Sequence, residues 1–147
     1  MTRVAVIALA FAMTLSSGIA SGSSFMDDVD RGRASVLSAP SGDAATVAGR
    51  ATLAESAATR DESPAYALGA GLAALSLDLD DKSARRSKAD RALLERQVHV
   101  VLNAQAAAGI GNRAVCLLSG RSDPRSIEAL MRLVDPAWSC GAHHHAD

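Results

Sequence analysis

Apolar side chains fall at helical spacing in the second half of the chain and only sporadically in the first. Leu94, Val98, Val101, Leu102 and Ala108 share one arc, widened by Leu93, Val100 and Ala104, with Arg96, His99 and Asn103 opposite. That spacing predicts a helix from about Ala84 or Lys88 to Ala108. Ser87, followed three residues later by Asp90, has the form of a capping box, and Gly109 and Gly111 stop the run. Upstream, Ser63-Pro64 pairs an N-cap with a proline in the first turn, ahead of the apolar run Ala65 to Leu75, and Asp61 and Glu62 stand where a helix dipole favours negative charge. Gly69 and Gly71 each cost that helix about 1 kcal/mol relative to alanine, so either it frays or another backbone comes close. Ala65, Gly69 and Ala73 form a small-residue stripe on a run too short to span a bilayer, which fits a tightly packed soluble helix.

Two shorter helices follow. Asn112 is placed to cap one running through Cys116 to Ser119 and ended by Gly120. Asp123-Pro124 starts another, which buries Ile127, Leu130, Met131 and Val134, turns Arg125, Glu128 and Arg132 outward, and ends near Val134 because Pro136 disfavours helix at Asp135. Four helices with short connections predict a mainly α chain, a small antiparallel helical array or bundle over residues 63–140, followed by a histidine-containing tail at 141–147.

The first part of the chain reads differently. Met1-Thr2-Arg3 is a short positive segment, Val4 to Leu15 an uncharged apolar run, and Ser16 to Ser24 small and polar. This is the pattern of a secretory signal peptide over residues 1–20, with cleavage after Ala20 or as late as Gly22. The expected product is an exported or periplasmic soluble protein with no transmembrane segment after cleavage. Residues 21–62 are rich in Ser, Gly, Ala and Asp, with Val29, Val36, Leu37, Val47 and Leu53 in neither helical nor strand period. They are expected to form a disordered or weakly helical leader, with a marginal helix from Asp43 to Thr59.

Composition narrows the core. The chain is 48% hydrophobic but only 3% aromatic, so Ala, Leu and Val must fill the interior. Charge divides the chain in two: residues 21 to 81 carry four arginines against ten acids, and residues 82 to 132 carry ten cations against four. The two halves either complement each other or leave a basic face for a protein partner or an anionic surface.

Cys116 and Cys140 are the only cysteines, and in an oxidising compartment they are expected to bond. Cys140 with His143, His144 and His145 offers the alternative of a metal site. His99, with Glu95 one turn earlier, is a surface histidine without a neighbouring nucleophile motif. Gly69-Ala70-Gly71-Leu72-Ala73-Ala74 has the letters of a dinucleotide fingerprint but no room for the strand that must precede it. Asp78-Leu79-Asp80-Asp81 opens like a calcium loop but has Ser83 and Ala89 where glycine and glutamate belong. Ile127 to Trp138 resembles the end of the second helix of a tetratricopeptide repeat, although Met131 stands where that family has alanine and no second copy follows at the required period. No cofactor and no catalytic residue is expected. The chain reads as an exported helical interaction module, with a small envelope enzyme or a metal-binding protein as alternatives.

Overall fold

The computed structural model describes residues 21–60, 63–84 and 86–141, and the architecture is mainly helical, with no strand among them. The helices are α1 (Ser21–Leu37), α2 (Val47–Thr59), α3 (Pro64–Asp80), α4 (Lys88–Ala108) and α5 (Asn112–Leu118). A 3-10 turn (Pro124–Ile127) then leads into the short α6 (Glu128–Met131).

α3 is the centre. Every residue from Ala65 to Leu75 is buried, so it is apolar around its whole circumference and needs neighbours on several sides. α1, α2 and α4 supply them. Val29 and Gly32 of α1 lie opposite Gly69 and Tyr66, Arg50 and Ala57 of α2 opposite Asp78 and Tyr66, and Val101 of α4 opposite Gly71. α2 therefore runs antiparallel to α3, whereas α1 runs parallel to it, its early residues Phe25 and Asp28 lying beside Ser63 and Ala65 at the start of α3. α4 joins the antiparallel set through the short 81–87 connection. Leu68, Leu72 and Leu75 meet Leu94, Val98 and Val101 in the main apolar cluster, which also takes in Ile127, Leu130, Met131 and Trp138.

The glycines of α3 settle the choice between fraying and close approach. A methyl group on Gly69 would fall well inside contact distance of the Val29 carbonyl oxygen. One on Gly32 would strike the Tyr66 carbonyl in the same way, so the two helices meet backbone to backbone. At Gly71 the methyl would lie 2.8 Å from Val101 Cγ2. Gly69→Ala should therefore lower stability by about 1–3 kcal/mol, the usual cost of overpacking where backbone cannot yield. Gly111→Ala, where a methyl meets nothing within 4 Å, should change little. Urea midpoints of the two variants compare these directly.

Several local expectations hold. Ser63 caps α3 by accepting from the Tyr66 N–H, Ser87 caps α4 by accepting from the Asp90 N–H, and Gly109 closes α4 at φ 70°. Asp61 and Glu62 lie outside the described residues.

Four expectations need correction. Residues 21–60, read as a disordered or weakly helical leader, carry two packed helices. α2 falls within the marginal helix expected from Asp43 to Thr59, and α1, not expected from the sequence, forms because Val29 and Val36 are seven residues apart on one face and Gly32 between them lets that face seat on α3. Asn112 does not cap α5. Gly111 takes the cap position without a side-chain bond, and Asn112 Oδ1 instead accepts from Gln105 Nε2 at 2.7 Å. The helix expected from Pro124 to Val134 is a 3-10 turn followed by one α turn, with Asp123 accepting from the Arg125 N–H at its start. Finally, Glu128, assigned to the outer face, is 6% exposed. Residues 1–20, where the signal peptide is expected, lie outside the described residues.

Candidate functional site

Three places gather the chain's chemistry. The first is the C-terminal corner, where Cys116 and Cys140 form a disulfide with Cα atoms 5.9 Å apart. Glu128 organises that corner: one carboxylate oxygen accepts from the Cys140 N–H at 2.8 Å, and Arg125 and Arg132 reach the same group at 3.3 and 3.2 Å. Arg132 Nε also donates to the Trp138 carbonyl, which folds the last residues back over the helix. With Cys140 in a disulfide, no thiolate is left there to bind a metal. His143, His144 and His145 lie outside the described residues.

The second place is a buried ion cluster that the sequence reading missed. Arg50, 3% exposed, donates from Nε to Asp78 Oδ1 at 2.6 Å, from Nη2 to Asp81 Oδ2 at 2.5 Å, and from Nη1 to the Ala44 carbonyl. Asp78 is 1% exposed. The loop with the opening letters of a calcium site is thus the acceptor set for an arginine. The Ser83 hydroxyl, then Arg50, then the Ser83 N–H hold the Asp81 carboxyl well below the usual carboxylate range. Arg96 does the same to Glu55, more weakly, across the α2–α4 surface. Both folded-state values lie below the unfolded ones, so this contribution is complete above the unfolded values of about 3.9 and 4.3 and is lost as pH falls through the depressed folded ones. Thermal melts taken between pH 7 and pH 2 should hold level down to about pH 4 and then decline.

The third place is a trough at one end of the array, where α1 and α3 begin and α4 ends. Two recesses of about 310 and 230 Å³ share Ser63, Pro64 and Ala107. Phe25, Ala65 and Ala108 line one, and Ala67, Val100 and Ala104 the other. The Ser63 hydroxyl there is committed: it donates to Asp28 Oδ2 at 2.7 Å while accepting from the Tyr66 N–H. Asp28 is in turn held by Arg31.

The remaining sequence candidates are not brought together. His99 is exposed, and Glu95 pairs with Arg91 rather than with the histidine. Gly69 and Gly71 lie in the interior of α3, packed on α1 and α4, where no phosphate could approach. The segment resembling a tetratricopeptide repeat forms the short 3-10 and α turns of the disulfide corner. The acidic and basic halves do meet, through Arg96 with Glu55 and Arg121 with Asp80. No helix among the described residues is long and apolar enough to cross a membrane. Comparison of the chain with family models, curated proteins and solved structures gives no match.

Proposed function

We propose that this chain is an exported helical module that holds a partner rather than transforming one. Support for export comes from the charged, apolar and small-residue order of residues 1–20 together with the Cys116–Cys140 bond, a cross-link that persists in oxidising compartments. Intact mass of protein recovered from outside the cytoplasm should place the N-terminus at Ser21 or Ser23. A chain retaining Met1 would remove that half of the reading.

The observation that carries binding is the lining of the trough. Its walls are alanine, proline, phenylalanine and valine, with Ser24, Asp28, Ser63 and Asn103 among the polar lining residues. Small side chains on a trough leave room for the side chains of another polypeptide, and Ser24 and Asn103 can meet its backbone. The occupant in this reading is an apolar segment of a partner protein. A photo-crosslinking residue at position 107 should give one discrete polypeptide adduct that Ala104→Glu abolishes. The same residue at position 113, on the exposed side of α5, should give none. Equal adducts from both positions, or an adduct indifferent to Ala104→Glu, would end this reading.

A further inference from the structure

Positive charge is unevenly matched across this fold. In the basic half, Arg96 is taken by Glu55, Arg121 by Asp80, and Arg125 and Arg132 by Glu128. Among the described residues Arg113 stands alone on α5 without an ion pair, and the connection between α3 and α4 is where several such cations lie together. Lys82, Arg86 and Lys88 are exposed there and make no ion pair among the described residues, and Arg91 follows one turn into α4. The acids that could have neutralised them are committed elsewhere: Asp78 and Asp81 to Arg50, Asp80 to Arg121. Asp90 stands beside them half-buried in the first turn of α4, and Glu95 faces Arg91 at 3.3 Å. A surplus of cations therefore remains at the end of the array away from the trough.

We infer that this basic tip, formed by Lys82, Arg86, Lys88 and Arg91, docks the protein on an anionic phospholipid surface. The chemistry of the tip selects that partner. Single-stranded nucleic acid is held by aromatic stacking beside the charge, and residues 82–91 contain no aromatic side chain. A protein interface needs an apolar centre, whereas the exposed large apolar residues Met26, Leu37 and Leu117 all lie on other elements. Exposed cations on a turn match a flat array of phosphate headgroups, which attract each Lys or Arg through charge alone and need no pocket. Such binding is screened within a Debye length, so it must weaken steeply with salt.

The inference rests on the reading of the chain as an interaction module, and its test is separate from the crosslinking at the trough. Full-length protein would be sedimented with vesicles of phosphatidylcholine alone and with vesicles containing phosphatidylglycerol. The readout is the excess on the anionic vesicles, which removes any charge-independent binding by the apolar run at residues 4–15. At low salt that excess should be clear, and 0.5 M sodium chloride should abolish it. The triple variant Lys82→Ser/Arg86→Ser/Lys88→Ser, checked for unchanged helicity, should bind the anionic vesicles roughly a hundredfold more weakly, about fivefold per cation. Arg113→Ser on α5 should bind as the parent does. The inference is overturned by equal sedimentation with both vesicles, by a triple variant that keeps the excess, by an equal loss in Arg113→Ser, or by binding to soluble polyphosphate without any vesicle excess. Failure of the trough crosslink would leave these outcomes unaffected and would bear only on the partner-holding reading.

Discussion

Replacing Asp78 with alanine is expected to cost about 3–5 kcal/mol, the range seen when one partner of a buried ion pair is removed and the other stays behind. Arg50 is the group left behind. It is 3% exposed, its Nε points at Asp78, and its other partners, Asp81 and the Ala44 carbonyl, meet Nη2 and Nη1 and cannot turn to replace the lost acceptor. The cluster also joins α2 to the C-terminal end of α3 and to the connection beyond it, so its loss loosens the array at that end. Chemical denaturation should show a lower midpoint for Asp78→Ala. Two further variants test the cause. Asp78→Asn keeps an acceptor oxygen and should lose less, and Arg50→Met/Asp78→Leu, which removes both charges, should recover much of the loss because a buried pair replaced by apolar groups is often neutral or better. If the double variant were as weak as the single one, the penalty would lie in lost packing and not in the stranded charge.

Cys140→Ser should lower stability by about 2–5 kcal/mol, the usual cost of losing a native bridge in a small domain. The chain-entropy model gives about 3.5 kcal/mol for a loop of this length. Native contacts determine where the damage appears. The corner closed by the disulfide has interactions of its own: the Cys140 N–H on Glu128, Arg132 on the Trp138 carbonyl, and buried Ile127, Leu130, Met131 and Trp138. Circular dichroism of the variant should retain most of the helical signal, which comes from α1 to α4, while Trp138 fluorescence reports earlier unfolding than the helices do. A single unfolding transition at the parent's midpoint would show that the corner needs no cross-link.

What could be read from the sequence follows the distance over which each signal acts. Ser63-Pro64, Ser87 with Asp90, Gly109 and Asp123-Pro124 are local signals, because a cap and its helix lie within a few residues of each other, and all mark real boundaries. The cysteine pair was legible from counting. α1 was not, since Val29 and Val36 are only two apolar positions seven residues apart, and its seat on α3 depends on Gly32 and Gly69, where the fit comes from missing side chains. Arg50 and Asp78 are 28 residues apart, and each looks like an ordinary surface charge until α2 is laid along α3. Glu128 misleads for a related reason. Its i, i+4 spacing to Arg132 reads as a surface pair, and only the returning chain at Cys140 encloses it. The trough and the basic tip are products of how the helices are arranged. The residues 82–91 were visible as cations, but which cations would be neutralised by the acidic half was not.

The sequence separations of these contacts also imply an order of assembly. The polar contacts within the α1–α4 array bridge between 28 and 50 residues, as in Arg50 with Asp78, Ser63 with Asp28, Arg96 with Glu55 and Gln97 with the Val47 carbonyl. Short closures of this kind form early, because the entropy of bringing chain ends together rises with their separation. The hydrogen bonds from Arg33 to the Leu118 and Ser119 carbonyls bridge 85 and 86 residues. They can form only once the array exists for α5 to rest against. Cys116 and Cys140 are only 24 residues apart, a shorter closure than any of those within the array. The cross-linked corner is therefore a local unit that can close without waiting for the array, and it is the docking of α5 on α1 that comes last.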